Sequence, residues 1–99
     1  MISIKLYKQG NDLLLGACDE ELIGKTFSEG KFEIKVTKEF YDGKRVGVNA
    51  LKKILADVTI ANLVGKKTVR CAIELGLVDA ECVLKVKGVP HAQMVRMLT

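Results

Sequence analysis

The chain contains no tryptophan, a single proline and a single histidine, and each scarcity removes a class of reading. With only two tyrosines and three phenylalanines, the core is left to valine, isoleucine and leucine rather than to aromatic slabs. No run of eighteen apolar residues occurs, and the start, MISIKLYK, lacks the basic and then apolar regions of a secretory signal. The expected location is therefore the cytoplasm, with no membrane partner. Cysteines are three, an odd number, at Cys18, Cys71 and Cys82, too far apart for a redox motif or a paired metal knuckle. They are read as reduced and mostly buried thiols. Adding His91 makes up the ligand count of a zinc site but not its spacing, since structural sites take two ligands from one tight turn. No metal and no cofactor are expected.

What is present describes one small domain spanning 1–99, because a second would leave each half unable to bury a core. Hydrophobic residues make up 48% of the chain, enough to fold it. The net charge of +4 is unevenly spread, the first thirty residues being acidic on balance and the rest basic. A basic chain is biased toward acidic partners, nucleic acid among them.

Residues Ile2 to Lys8 alternate apolar and polar, the period of a half-buried strand, and Gln9-Gly10-Asn11-Asp12 then supplies a turn. The apolar run LLLGAC predicts a second strand in a hairpin with the first. Asp19 is placed to cap a short turn, and Phe32, Ile34 and Val36 mark a third strand. Leu51, Ile54, Leu55 and Val58 fall at helical spacing after Asn49, and IANLVGKKTVRCAIEL reads as a second helix with Gly65 as a break or a close approach. Gly76 ends it as a left-handed stop. A last strand over Glu81 to Lys87 turns Cys82, Leu84 and Val86 inward, and GVPHAQ follows it as a stiff loop. The predicted fold is α+β, a single sheet of about four strands with two helices packed on one face, and a short apolar tail at 94–99.

Two segments imitate a phosphate-binding loop. GKT at Gly24 to Thr26 has Asp19 where the leading glycine belongs, and VGKKT has a second lysine where the hydroxyl belongs, so neither supports nucleotide hydrolysis. For catalysis the candidates are His91, the one side chain that titrates naturally near neutrality, and Asp19. Nothing in the sequence brings them together, so a small-ligand or enzyme site around the GVPHAQ loop is an alternative and not the leading expectation. For nucleic acid, strand alternation projects Lys5, Lys31, Lys35, Lys85 and Lys87 from one open sheet face with Tyr7 among them, a surface suited to phosphates and one stacked base. Lys66, Lys67 and Arg70 form a second basic cluster at the start of a helix, where positive charge opposes the helix dipole. The expected partner is RNA or a ribonucleoprotein. A competing expectation is self-association, or a protein partner, through Met94 to Leu98.

The segments ACDEELIGKTFSEG, EFYDG, IANLVGKKTVRCAIELGLVDAE and GVPHAQ together resemble a small archaeal family, domain of unknown function 424. The resemblance runs from about Leu13 to Gln93, and GVPHAQ is its most recognisable part. It implies an archaeal, cytosolic protein and no particular activity. Within the segments it matches, it singles out Lys25, Asn62, Gly65, Gly88, Pro90, His91 and Gln93 as residues any shared site would use. Lys66 and Lys67 stand where the family is expected to place an acidic residue, which argues against the basic cluster as a family-wide surface.

Overall fold

The computed structural model describes residues 1–96. Strand β1 (Ile2–Gln9) turns through Gly10, at φ 59°, into β2 (Asp12–Asp19). A short 3-10 turn (Glu20–Leu22) leads to the hairpin of β3 (Thr26–Glu29) and β4 (Phe32–Lys35), then to helix α1 (Lys38–Tyr41) and strand β5 (Lys44–Val46). Helix α2 (Val48–Leu55), strand β6 (Ile60–Val64) and helix α3 (Lys66–Glu74) follow. A second 3-10 turn (Ala80–Cys82) precedes β7 (Leu84–Val86) and β8 (Val89–Val95).

The architecture is α+β, but the expected single four-stranded sheet is overturned. The main sheet has six strands in the order β5-β1-β2-β6-β8-β7, and β3 and β4 form a separate two-stranded sheet. Strand β5, at one edge of the main sheet, went unread, and three further readings account for the rest of the difference. Phe32–Lys35 pairs with Thr26–Glu29 across a two-residue Gly30-Lys31 loop, so the strand with the clearest alternation lies outside the main sheet. IANLV, read as the front of a helix, is strand β6, parallel to β2 and antiparallel to β8. A short apolar run buried on both faces has no period that separates strand from helix. The stretch read as a loop, GVPHAQ, is mostly strand β8; Pro90 is accommodated because it offers its carbonyl, to the Gly65 N–H at 2.9 Å, and needs no donor of its own.

Both faces of the main sheet are covered. As expected, two helices share one face: Ile4, Leu15, Leu63, Ala92 and Met94 of the sheet pack with Leu51 and Leu55 of α2 and Val69 and Ala72 of α3. On the opposite face Cys18, Val64 and Val86 are buried beneath Ile34 from the small sheet, Val36 just after it and Tyr41 from α1. This second layer went unforeseen, and it changes what "inward" means. In β1 the apolar side faces the helices, whereas Leu84 and Val86 of β7 face the small sheet. Cys82, expected inward on a strand, is exposed on the 3-10 turn, while Cys18 and Cys71 are buried as expected. Asn49 does not cap α2, which starts at Val48 after Gly47.

The expected tail does not hang free over its described part. Met94 is buried in the core and Val95 completes β8, while the Arg96 guanidinium donates to the Ala56 carbonyl at 2.7 Å. Residues 97–99, including Leu98, lie outside the described residues.

Candidate functional site

Because β2 and β6 run parallel, with Cys18 opposite Val64, their ends lie side by side. Asp19, the last residue of β2, thereby sits at the start of α3. Its Oδ2 accepts from the Lys67 N–H at 3.1 Å, and its Oδ1 accepts from the Thr68 N–H at 2.9 Å and the Thr68 hydroxyl at 2.8 Å. Gly65, which stands at the helix N-cap position, has no side chain for that task, so a buried carboxylate from elsewhere performs it. Asp19 was a catalytic candidate; the geometry gives it a structural role. It also explains why VGKKT is no phosphate cradle, since the helix terminus already holds an anion of the protein's own.

The motif GVPHAQ divides between two faces. Lys87 and Gly88, at φ 54° and 77°, form the two-residue loop between Val86 and Val89, a pair of positive values that a tight hairpin turn demands. The Lys87 N–H donates to Glu29 Oε1 at 3.0 Å, which fastens this loop to the small sheet. Beyond it Ala92 and Met94 point into the helix-side core, while His91 and Gln93 point to the opposite face. Gln93 Nε2 donates to Asn62 Oδ1 at 2.9 Å. His91 pairs in register with Val64 and Leu84, and burial pushes its pKa below the ordinary 6.5.

That shift carries a pH prediction. A histidine held neutral by burial binds its proton less readily folded than unfolded, so the unfolded chain takes up more protons as pH falls below about 6.5. Its contribution is present above that value and lost below it. Going from about pH 7.5 to about pH 5 should lower the urea midpoint more in the wild type than in His91→Leu. Equal slopes of stability against pH in both proteins would contradict the assignment.

The sequence candidates fall into separate groups, of which Asp19, Gly65, Gly88 and Pro90 border one cleft. Asn62, His91 and Gln93 share a face, Asp19 is on the other, and Lys25 lies apart in a shallow cleft with Lys35 and Lys38. No carboxylate hydrogen-bonds to His91 among the described residues, and the elements of a catalytic constellation do not meet. Cys18 and Cys71 lie in separate cores, so the zinc grouping with His91 does not assemble either. Burial pushes the Cys18 thiol up to about 12, with the Asp19 charge adding to it, and leaves it unreactive.

The lysine face is dispersed as well. Lys5 donates to the Glu39 carbonyl at 2.7 Å and lies 5.6 Å from the Tyr7 ring centroid. Tyr7 donates to the Phe40 carbonyl at 2.8 Å and stacks on the Phe40 ring at 5.3 Å, so both residues tether α1 to the sheet. Lys35 belongs to the small sheet and pairs with Glu33 at 3.5 Å, Lys31 lies in its hairpin loop, and Lys87 is a turn residue. Lys85 stands opposite Pro90, on the helix side, facing away from the side that Lys5 occupies.

This placement of Lys85 builds a site that strand alternation alone did not reveal. Lys66 and Arg70, one turn apart on α3, meet Lys85 across a groove of about 450 Å³. Its floor is apolar, from Val69, Ile73 and Val83, with Pro90 at one end. No acidic residue lines it, and none of its three cations enters an ion pair among the described residues. Two like charges at this helical spacing repel by a few tenths of a kcal/mol, and Lys66 also opposes the helix dipole. The fold thus places three cations, none in an ion pair among the described residues, around an apolar trough. The sequence signal was the Lys66, Lys67 and Arg70 cluster; the missing part was which side of β7 faces α3.

A model of a protein family described as a protein of unknown function (DUF424) matches residues 7–97. No curated protein matches the chain. Among solved structures, an uncharacterized conserved protein from Methanopyrus kandleri is similar, with a TM-score of 0.77 at 19% identity over 99% of this chain and 95% of that one. At that identity the likeness concerns the fold.

Proposed function

The chain belongs to this family of unknown function, and we propose that it binds RNA through the groove formed by Lys66, Arg70 and Lys85. The observation that carries the reading is the convergence on one apolar trough of three cations from α3 and β7 that form no ion pair among the described residues. Cations on a rim attract phosphates whatever the sequence, and the aliphatic lining offers base faces apolar contact without an aromatic ring to stack on. The chain's basic balance, with a pI near 9, favours the same class of partner. No helix among the described residues is long and apolar enough to cross a membrane. The archaeal, cytoplasmic setting implied by the family resemblance belongs to this proposal.

Amide chemical-shift mapping with a short oligouridine tests the location. The expected outcome is a set of shifts at Lys66, Arg70, Val83 and Lys85, with Tyr7, Asn62 and Gln93 unmoved. Shifts concentrated on Asn62 and Gln93 instead would move the site to the opposite face of the sheet and overturn the groove.

A further inference from the structure

A smaller cleft of about 200 Å³ adjoins the basic groove and shares Lys66, Gly88 and Pro90 with it. Its remaining walls include Leu22 and Val89, apolar surfaces from the first 3-10 turn and from β8, and Glu21 opens onto it. At this volume it falls below the range of about 300–1,000 Å³ that encloses drug-sized ligands, which leaves room for one flat ring. Gly88, shared by the two, presents no side chain, and a Cβ there would meet nothing within 4 Å. A strand following the groove would set one nucleotide on the cations and its neighbour at this cleft.

The polar lining selects the ring. Two carboxylates border the cleft, Asp19 and Glu21. Asp19 has both oxygens engaged by Lys67 and Thr68. Glu21 forms no hydrogen bond or ion pair among the described residues, whereas its neighbour Glu20 is paired with Arg45 at 3.2 Å. An ionised carboxylate only accepts, and its two oxygens complement an edge that carries two parallel donors. Guanine offers such an edge, with N1–H and the N2 amino group. Uracil sets carbonyls on both sides of its one donor, and adenine and cytosine set a ring acceptor beside their amino groups, so each would turn a lone pair toward Glu21.

Resting on the RNA reading above, we infer that the cleft beside Glu21 is a guanine subsite, giving a protein that binds single strands generally a preference for one base. The test compares oligouridines of about nine nucleotides that carry at the centre uridine, guanosine, or inosine, which lacks only the N2 amino group. Wild type should bind the guanosine strand about ten-fold more tightly than the all-uridine strand, with inosine between. In Glu21→Gln the advantage of guanosine should shrink to less than about three-fold, while all-uridine affinity holds or rises slightly with the lost negative charge. Equal binding of the three strands by wild type, or a guanosine preference that survives in Glu21→Gln, would overturn the subsite and leave the groove standing. Failure of every strand to bind would overturn the groove reading and the subsite with it.

Discussion

Replacing Gly65 by alanine is expected to cost the fold about 3–5 kcal/mol, a large part of the stability of a domain this small. Gly65 has φ 109° and ψ 156°, a region that residues with a side chain essentially do not enter, at a cost of about 1–3 kcal/mol. An added Cβ would also collide with Asp19 Cγ and lie 2.6 Å from its Oδ1. Asp19 cannot step aside without giving up the three bonds that cap α3, about 2 kcal/mol more. Gly10→Ala is the matched control, because φ there is also positive but nothing stands within 4 Å. It should cost only about 1 kcal/mol. Asp19→Ala should cost about 2 kcal/mol, and the Asp19→Ala, Gly65→Ala double variant less than the two singles combined, since the clash with the carboxylate is gone. Urea unfolding of the four proteins checks the set. A Gly65→Ala midpoint equal to that of Gly10→Ala would show that the close approach of β2 to α3 does not hold this junction.

The second large effect concerns binding. Reversing all three groove charges, with Lys66→Glu, Arg70→Glu and Lys85→Glu together, should weaken single-stranded RNA binding by at least about 100-fold. All three side chains are exposed, and removing positive charge from the first turn of α3 relieves its opposition to the dipole. Stability should therefore stay within about 0.5 kcal/mol of wild type, which separates lost contacts from lost folding. Lys35→Glu, on the small sheet, should change affinity by less than about three-fold. Comparable losses from Lys35→Glu and from the triple reversal would mean that general charge, and not the groove, attracts the nucleic acid.

How much of this was legible in the sequence differs by level. Alternation over Ile2 to Lys8 and helical spacing through Leu51 and Leu55 are local signals, and both elements formed with those apolar residues in the core, except Leu6 near the uncovered end of β1. IANLV was not legible, because burial on both faces erases the period, and with it went the parallel pairing that gives the sheet its centre. Alternation in β7 gave the parity of Lys85 correctly but not its side. Which face an apolar residue seeks depends on what covers the sheet there, and the cover over Val86 comes from β4 and α1, distant in the chain. The role of Asp19 was hidden for a similar reason, since its partners Lys67 and Thr68 lie 48 and 49 residues away. GVPHAQ, singled out by its composition, divides into parts that serve different ends. Gly88 turns a hairpin, Pro90 lines the groove, and His91 and Gln93 face the other side.

The central claim is that RNA is held by the cations of the groove, and its most direct measurement is the affinity of the full chain for a single-stranded oligonucleotide as a function of salt. Three phosphate contacts predict that the logarithm of the binding constant falls against the logarithm of salt with a slope of about −2. In the triple reversal that slope should approach zero. A wild-type slope near zero, or a slope of −2 that persists without Lys66, Arg70 and Lys85, would contradict the account.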